Sequence, residues 1–200
     1  MTRTLPDPIA RDHIDALTVT LSALRKQSST LGRWGRVLAE RLDAGARLLA
    51  AGNGGSAAEA QHFTAELVGR FRDDRRPFSA LALNAETSSV TAISNDYGYE
   101  QVFARQVTAH ARPGDVLLLL STSGRSPNLL RAAEAGHTAG ALVWALTGST
   151  PNPLYEAVDE AVALPGSTSS VQEAQLVAVH VLCEAFEAAL SEVDAQRRVS

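Results

Sequence analysis

Residues 115–127 read DVLLLLSTSGRSP, and no other stretch restricts the architecture of the chain as much. An unbroken apolar run, with Pro113-Gly114 before it and a serine-rich turn after it, predicts a buried strand over 115–120. Pro127 then opens a helix over 127–139, at the first position, where its missing N–H costs nothing. The same order of strand, turn and helix recurs. Strands are predicted at 47–51, 78–83, 141–146 and 158–164. Helices are predicted at 56–69, at 86–111 with a break around Asn95-Asp96-Tyr97-Gly98, and at 170–192. This alternation implies an α/β fold, a parallel sheet with helices on both faces in three layers.

Two amphipathic helices precede the first strand. Ala10, Ile14, Leu17, Leu21 and Leu24 follow a 4-3-4-3 spacing within 8–28, and Trp34, Val37, Leu38 and Leu42 share one side of 30–43. A small α/β core alone would leave these stripes exposed, so they are expected to serve packing or oligomerisation. No linker or repeat interrupts the 200 residues, which are expected to form one domain with helices 1–45 ahead of a core at 46–192. The charged stretch FRDDRRP at 71–77 is expected to be a solvated connection.

Bulk properties exclude several function classes. A net charge of −4 argues against nucleic-acid or membrane-surface partners. No run approaches the roughly 20 apolar residues of a membrane span. The charged start, MTRTLPDPIARDHID, lacks the apolar core of a signal peptide, and Cys183 is the single cysteine; a cytoplasmic setting is expected. Lys26 is the only lysine, which removes Schiff-base chemistry and a P-loop lysine.

Two turns are candidates for ligand binding. Gly52-Asn53-Gly54-Gly55-Ser56 follows a strand and opens a helix. Its glycines allow close backbone approach, and the helix start favours an anion; the alternative is a tight turn with Ser56 as helix cap. The dinucleotide pattern also fits loosely, but no acid stands at the tip of the next strand. Ser121, Thr122, Ser123 and Ser126 bring four hydroxyls to the carboxyl end of one strand, where parallel sheets bind ligands. Capping needs only Ser126, so the remaining hydroxyls point to a phosphate monoester. Two such turns on one sheet edge suit a sugar phosphate, one gripping the phosphate and the other, with Asn53, Gly54 and Ser56, facing the polyol.

His62 and Glu66 lie four apart in the helix after the glycine turn and share a face. Alone, such a pair is more often a surface pair. His180 sits in the apolar run LVAVHVLCEAF, where a hydrogen-bonded core histidine is the bland reading. At about 100° per residue, Glu173 lies about 20° from His180 around the helix and Gln172 about 80°. Periodicity thus favours Glu173 as its companion.

AGNGGSAAEAQHF, ISNDYGYEQVF, GDVLLLLSTSGRSPN, ALTG and SSVQEAQLVAVH together resemble the sugar isomerase (SIS) domain family and, within it, the phosphoheptose isomerase branch. The resemblance runs in order over almost the whole chain. It implies a flavodoxin-like sheet, a homotetramer with active sites where subunits meet, and isomerisation of D-sedoheptulose 7-phosphate to D-glycero-D-manno-heptose 7-phosphate through an enediol. It also implies that Ser121, Ser123 and Ser126 hold the phosphate with Thr122 and Asn53 nearby, and that Asn95 and Asp96 line the substrate. By the same resemblance His62, Glu66, Gln172 and His180 form a zinc site, with Glu66 and His180 as the acid/base pair. It therefore favours Gln172 over Glu173. Ser169 and Gln175 depart from it, at positions where relatives carry an acid or a histidine. A related SIS branch, the DnaA initiator-associating proteins, shares the glycine turn and acts by protein contact, but is not expected to keep both Glu66 and His180.

Overall fold

The structure is a computed structural model that describes residues 7–199; residues 1–6 and 200 of the expected domain lie outside the described residues. Five strands, β1 Leu48–Gly52, β2 Ala80–Ala82, β3 Val116–Ser121, β4 Leu142–Thr147 and β5 Glu160–Ala163, form one parallel sheet in the order β2-β1-β3-β4-β5. This is the flavodoxin-like order, with its switch point between β1 and β3. The helices are α1 Pro8–Arg25, α2 Ser28–Asp43, α3 Gly55–Val68, α4 Thr87–Tyr97, α5 Val102–His110, α6 Pro127–Thr138, α7 Pro153–Glu156 and α8 Thr168–Val199.

Strand periodicity of two divides the central apolar run between two cores. Val116, Leu118 and Leu120 join α2, α3 and α8 on one face, while Leu117 and Leu119 join α5 and α6 on the other. Every β3 residue is buried, which is why the run shows no polar alternation. On the first face α2 lies close against α8: a Cβ on Gly35 would collide with Ala185 and the Phe186 backbone. Trp34 of α2 stacks on Trp144 of β4, with centroids 4.5 Å apart and planes 3° from parallel. The Trp34 indole N–H donates to Glu160 Oε2 at 3.2 Å, and Arg33 forks onto the same carboxylate.

Several boundaries move from their expected places. α4 continues through Asn95 and Asp96, and the break falls at Gly98, whose φ of +86° suits glycine. β2 keeps only three residues because it is an edge strand; Phe78, expected to start it, packs edge-on against Phe186. The short α7, started by Pro153 and capped by the Asn152 side chain, was not foreseen. The apolar seam of α1 is covered only in its second half. Leu24 is buried and Leu17 and Leu21 partly so, but Ile14 stays 60% exposed. Loop 71–77 is mostly exposed, as expected, but the Arg75 side chain within it is only 9% exposed. No described helix is long and apolar enough to cross a membrane.

Candidate active site

β1 and β3 are neighbours, with Gly52 opposite Leu120, so the glycine and serine turns stand side by side at the switch point. A cleft of about 470 Å³ opens between them, lined by Asn53, Tyr99, Glu100, Ser126, Pro127 and Asn128. The Asn53 and Asn128 side chains exchange two hydrogen bonds, of 3.0 and 2.9 Å. The Tyr99 hydroxyl donates to Asn53 Oδ1 at 3.0 Å. Two donors therefore occupy that oxygen, and Asn53 keeps one amide N–H for a ligand. Gly54, with φ +56°, takes the N-cap position of α3. Ser56 does not cap; it is buried, and its hydroxyl donates to Gln175 Oε1, while Gln175 Nε2 donates to the Leu146 carbonyl. Ser56 thus faces the protein interior.

In the serine turn, Ser121 is buried and its hydroxyl accepts the Gly124 N–H at 3.0 Å. Gly124 has φ +62°, and the Asn152 amide fills the space where a side chain would begin, so only glycine fits. Ser123 is exposed, and Thr122 and Ser126 partly so. Ser126 occupies the N-cap of α6, yet its side chain forms no capping bond there. Its hydroxyl is not spent on the helix, which removes the capping explanation of this serine.

The second group lies on α3 and α8. His62 Nε2 is 2.9 Å from His180 Nε2 and 3.4 Å from Glu66 Oε1. One imidazole donates and the other accepts, so the two facing nitrogens share one proton. The Phe71 ring lies 5.6 Å from His180. Burial, and then the Glu66 and Glu187 charges, push the Cys183 thiol up to about 12, which makes it an inert packing residue and marks Glu66 as its neighbour. Glu59, one turn before His62, is 8% exposed, and its Oε2 has no hydrogen-bond partner among the described residues. Burial raises its pKa to about 8.

Other expected residues lie elsewhere. Gln172 places its amide over the Gly55 backbone, at the mouth of the glycine turn. Glu173 instead pairs with His13 of α1 at 2.8 Å. Asn95 and Asp96 are exposed on the last turn of α4 and bond to each other; Asp96 lines a separate shallow cleft with Tyr97 and Arg105. Within one chain, neither they nor the histidine group line the cleft between the turns. Asn128, Tyr99 and Phe71 were missed by sequence reasoning. Asn128 alone carried a signal, as the polar residue directly after Pro127 at the edge of the serine turn.

Imidazole nitrogens and a carboxylate oxygen are the donors zinc takes, and His62 touches both His180 and Glu66, so the residues fit the ion in kind. The single chain does not preassemble a cage: no group of three or more His, Cys, Asp and Glu among the described residues is arranged to hold a metal ion.

A family model described as SIS domain matches residues 12–148. A phosphoheptose isomerase of Streptomyces coelicolor is 63% identical over 179 residues, covering 89% of this chain and 78% of the relative. The solved structure of a phosphoheptose isomerase from Francisella tularensis superposes with TM-score 0.84 at 31% identity, covering 89% of this chain and 95% of that one. Its counterpart from Neisseria gonorrhoeae gives TM-score 0.81 at 34% identity, covering 90% and 97%. With the flavodoxin-like sheet, the paired turns and the His62–Glu66–His180 group in place, the chain belongs to the SIS-domain family and, within it, to the phosphoheptose isomerases.

Proposed function

We propose that the chain converts D-sedoheptulose 7-phosphate to D-glycero-D-manno-heptose 7-phosphate through an enediol. The observation that carries this reading is the meeting of Glu66, His62 and His180, brought from α3 and α8 into contact. Glu66 takes the proton from C1 of the ketose. His180, relayed by His62, moves a proton from O1 to O2, and Glu66 returns its proton at C2. Thr122, Ser123 and Ser126, on the frame held by Ser121, grip the phosphate; the free N–H of Asn53 and the Gly54 backbone face the polyol. Binding energy gained at the phosphate orients the reacting carbons at the other end. His62, Glu66, Gln172 and His180 would hold a zinc ion, which when bound polarises the carbonyl and hydroxyl oxygens as a Lewis acid.

The whole chain acts as one SIS domain in the cytoplasm. It works as a homotetramer in which sites form where subunits meet, with Asn95 and Asp96 completing them. The separation of the histidine group from the cleft within one chain supports this assembly. NMR of the enzyme with sedoheptulose 7-phosphate tests the reaction, with and without a chelator: aldose signals should grow, and chelation should slow them. Glu66→Gln and His180→Ala should each lower kcat by about 10²–10⁴-fold. Turnover at the wild-type rate in either variant would remove its assigned role.

A further inference from the structure

We infer that Arg75, in the charged loop before β2, is a positioning residue that holds the last turn of α3 against α8 and so sets how Glu66 meets His180. This rests on the assignment of Glu66 and His180 given above.

The Arg75 side chain is 9% exposed, and its donors converge on the end of α3. Nη2 donates to the carbonyl of Glu66 itself at 2.6 Å. Nη1 donates to the carbonyls of Leu67 at 2.9 Å and Gly69 at 3.2 Å, and to that of Arg76 at 3.1 Å. The carbonyls of Glu66 and Leu67 belong to the last turn of α3, where a helix end leaves them without intrahelical partners, and Gly69 is its C-cap. A plain cap needs one or two of them and can stay in water. The Arg75 side chain is instead largely enclosed, and its guanidinium also lies against the rings of Phe78 and Phe186.

The far side of the guanidinium faces α8. Nε stands 3.4 Å from Glu187 Oε1, an ion pair whose acidic partner is 13% exposed. The same Oε1 accepts the Phe71 N–H at 3.2 Å. Phe71 in turn lays its ring beside His180, 5.6 Å away with planes 36° apart. Glu187 is seven residues, two helical turns, beyond His180 and therefore on the same face of α8. One cation thus ties the backbone of Glu66 and, through Glu187 and Phe71, the ring of His180 to a single frame. Misplacement of a reacting group by about 1 Å can cost about 10²-fold in rate. The phosphate grip sits on β3 and α6, away from this frame, so disturbing it should change kcat and spare KM.

The test uses the full-length enzyme and sedoheptulose 7-phosphate, with kcat and KM from NMR progress curves and imidazole ¹⁵N signals from a histidine-labelled sample. Arg75→Met keeps the aliphatic stem against Phe78 and Phe186. It should lower kcat about 10- to 100-fold, leave KM within about threefold and shift the His180 signals. Arg76→Met is the control in the same loop: Arg76 pairs with Asp43 and covers the Phe78 ring, but its side chain makes no hydrogen bond or ion pair to α3 or α8 among the described residues, and kcat should stay within about twofold. Should Arg75→Met fail to fold, Glu187→Gln keeps an acceptor for Phe71 and removes the charge facing Arg75. It should lower kcat about 3- to 10-fold at constant KM. Wild-type kcat with unmoved His180 signals, or a loss confined to KM, in the folded variant overturns the inference. Glu66→Gln measured in parallel separates the two claims. If it turns over normally, the active-site assignment fails. If it is inactive while Arg75→Met is normal, only the positioning role fails.

Discussion

Glu59 shows what burial does to a single side chain. Its carboxyl group is buried on α3, one turn before His62, with one oxygen unpartnered among the described residues. Desolvation raises its pKa from 4.5 in the open chain to about 8 in the fold. Between these values the folded state holds a proton that the unfolded state has released, so this residue's contribution to stability is full below pH 4.5 and is lost as pH rises towards about 8. Glu59→Gln should melt like the wild type near pH 5. Above pH 8 it should be more stable by about 1–3 kcal/mol, or roughly 2–4 °C per kcal/mol in a thermal scan. Parallel melting curves across that pH range check this. Residues of this kind were poorly legible in advance. His62 and Glu66 could be paired because helical spacing is a local property. Nothing local separates Glu59 from an exposed helix glutamate, and burial is decided by chain that packs over it from afar.

At the scale of elements, the two turns are joined by a strut. The reciprocal amide bonds of Asn53 and Asn128 connect the end of β1 to the start of α6, and this sets the width of the cleft between the polyol and phosphate subsites. Asn128 borders the cleft but is only 2% exposed, so its effect is exerted mainly through Asn53. Asn128→Ala should cost about 1–3 kcal/mol of stability by orphaning Asn53. It should also raise KM for the sugar phosphate by about tenfold, with a smaller change in kcat; steady-state kinetics and a thermal melt read both. Strands and turns were legible because apolar runs and Gly/Ser clusters act over a few residues. The break expected around Asn95-Asp96-Tyr97-Gly98 falls at the last of these residues, because only Gly98 has the backbone freedom to make the turn. Loop 71–77 is mostly exposed, as its charge suggests, but nothing in its composition singles out Arg75, whose enclosed side chain has the same letter as its solvated neighbours.

At the scale of the molecule, the fold leaves surface that it does not cover itself. Ile9, Ile14 and Val19 of α1 are 78%, 60% and 66% exposed, and α4 buries no side chain. Apolar side chains of α1 that its own chain leaves uncovered suit packing against a partner subunit, in keeping with the proposed tetramer. Ile14→Arg should leave the monomer fold intact, since the side chain contributes little to the core. It should lower the assembly mass in analytical ultracentrifugation and reduce kcat with it; an unchanged mass would place the subunit contacts elsewhere. The meeting of His62 with His180, 118 positions apart, is likewise a property of the whole molecule. No spacing rule reports it, and only the family resemblance put both residues in one site. The tryptophan stack has a further, practical consequence. Trp34 and Trp144 are the only two indoles of the chain, and they lie face to face between α2 and the sheet, remote from the ligand cleft. Their coupled transitions should give a far-ultraviolet dichroic couplet that reports the docking of the helical layer. Intrinsic fluorescence should therefore follow unfolding faithfully while staying nearly silent to ligand binding.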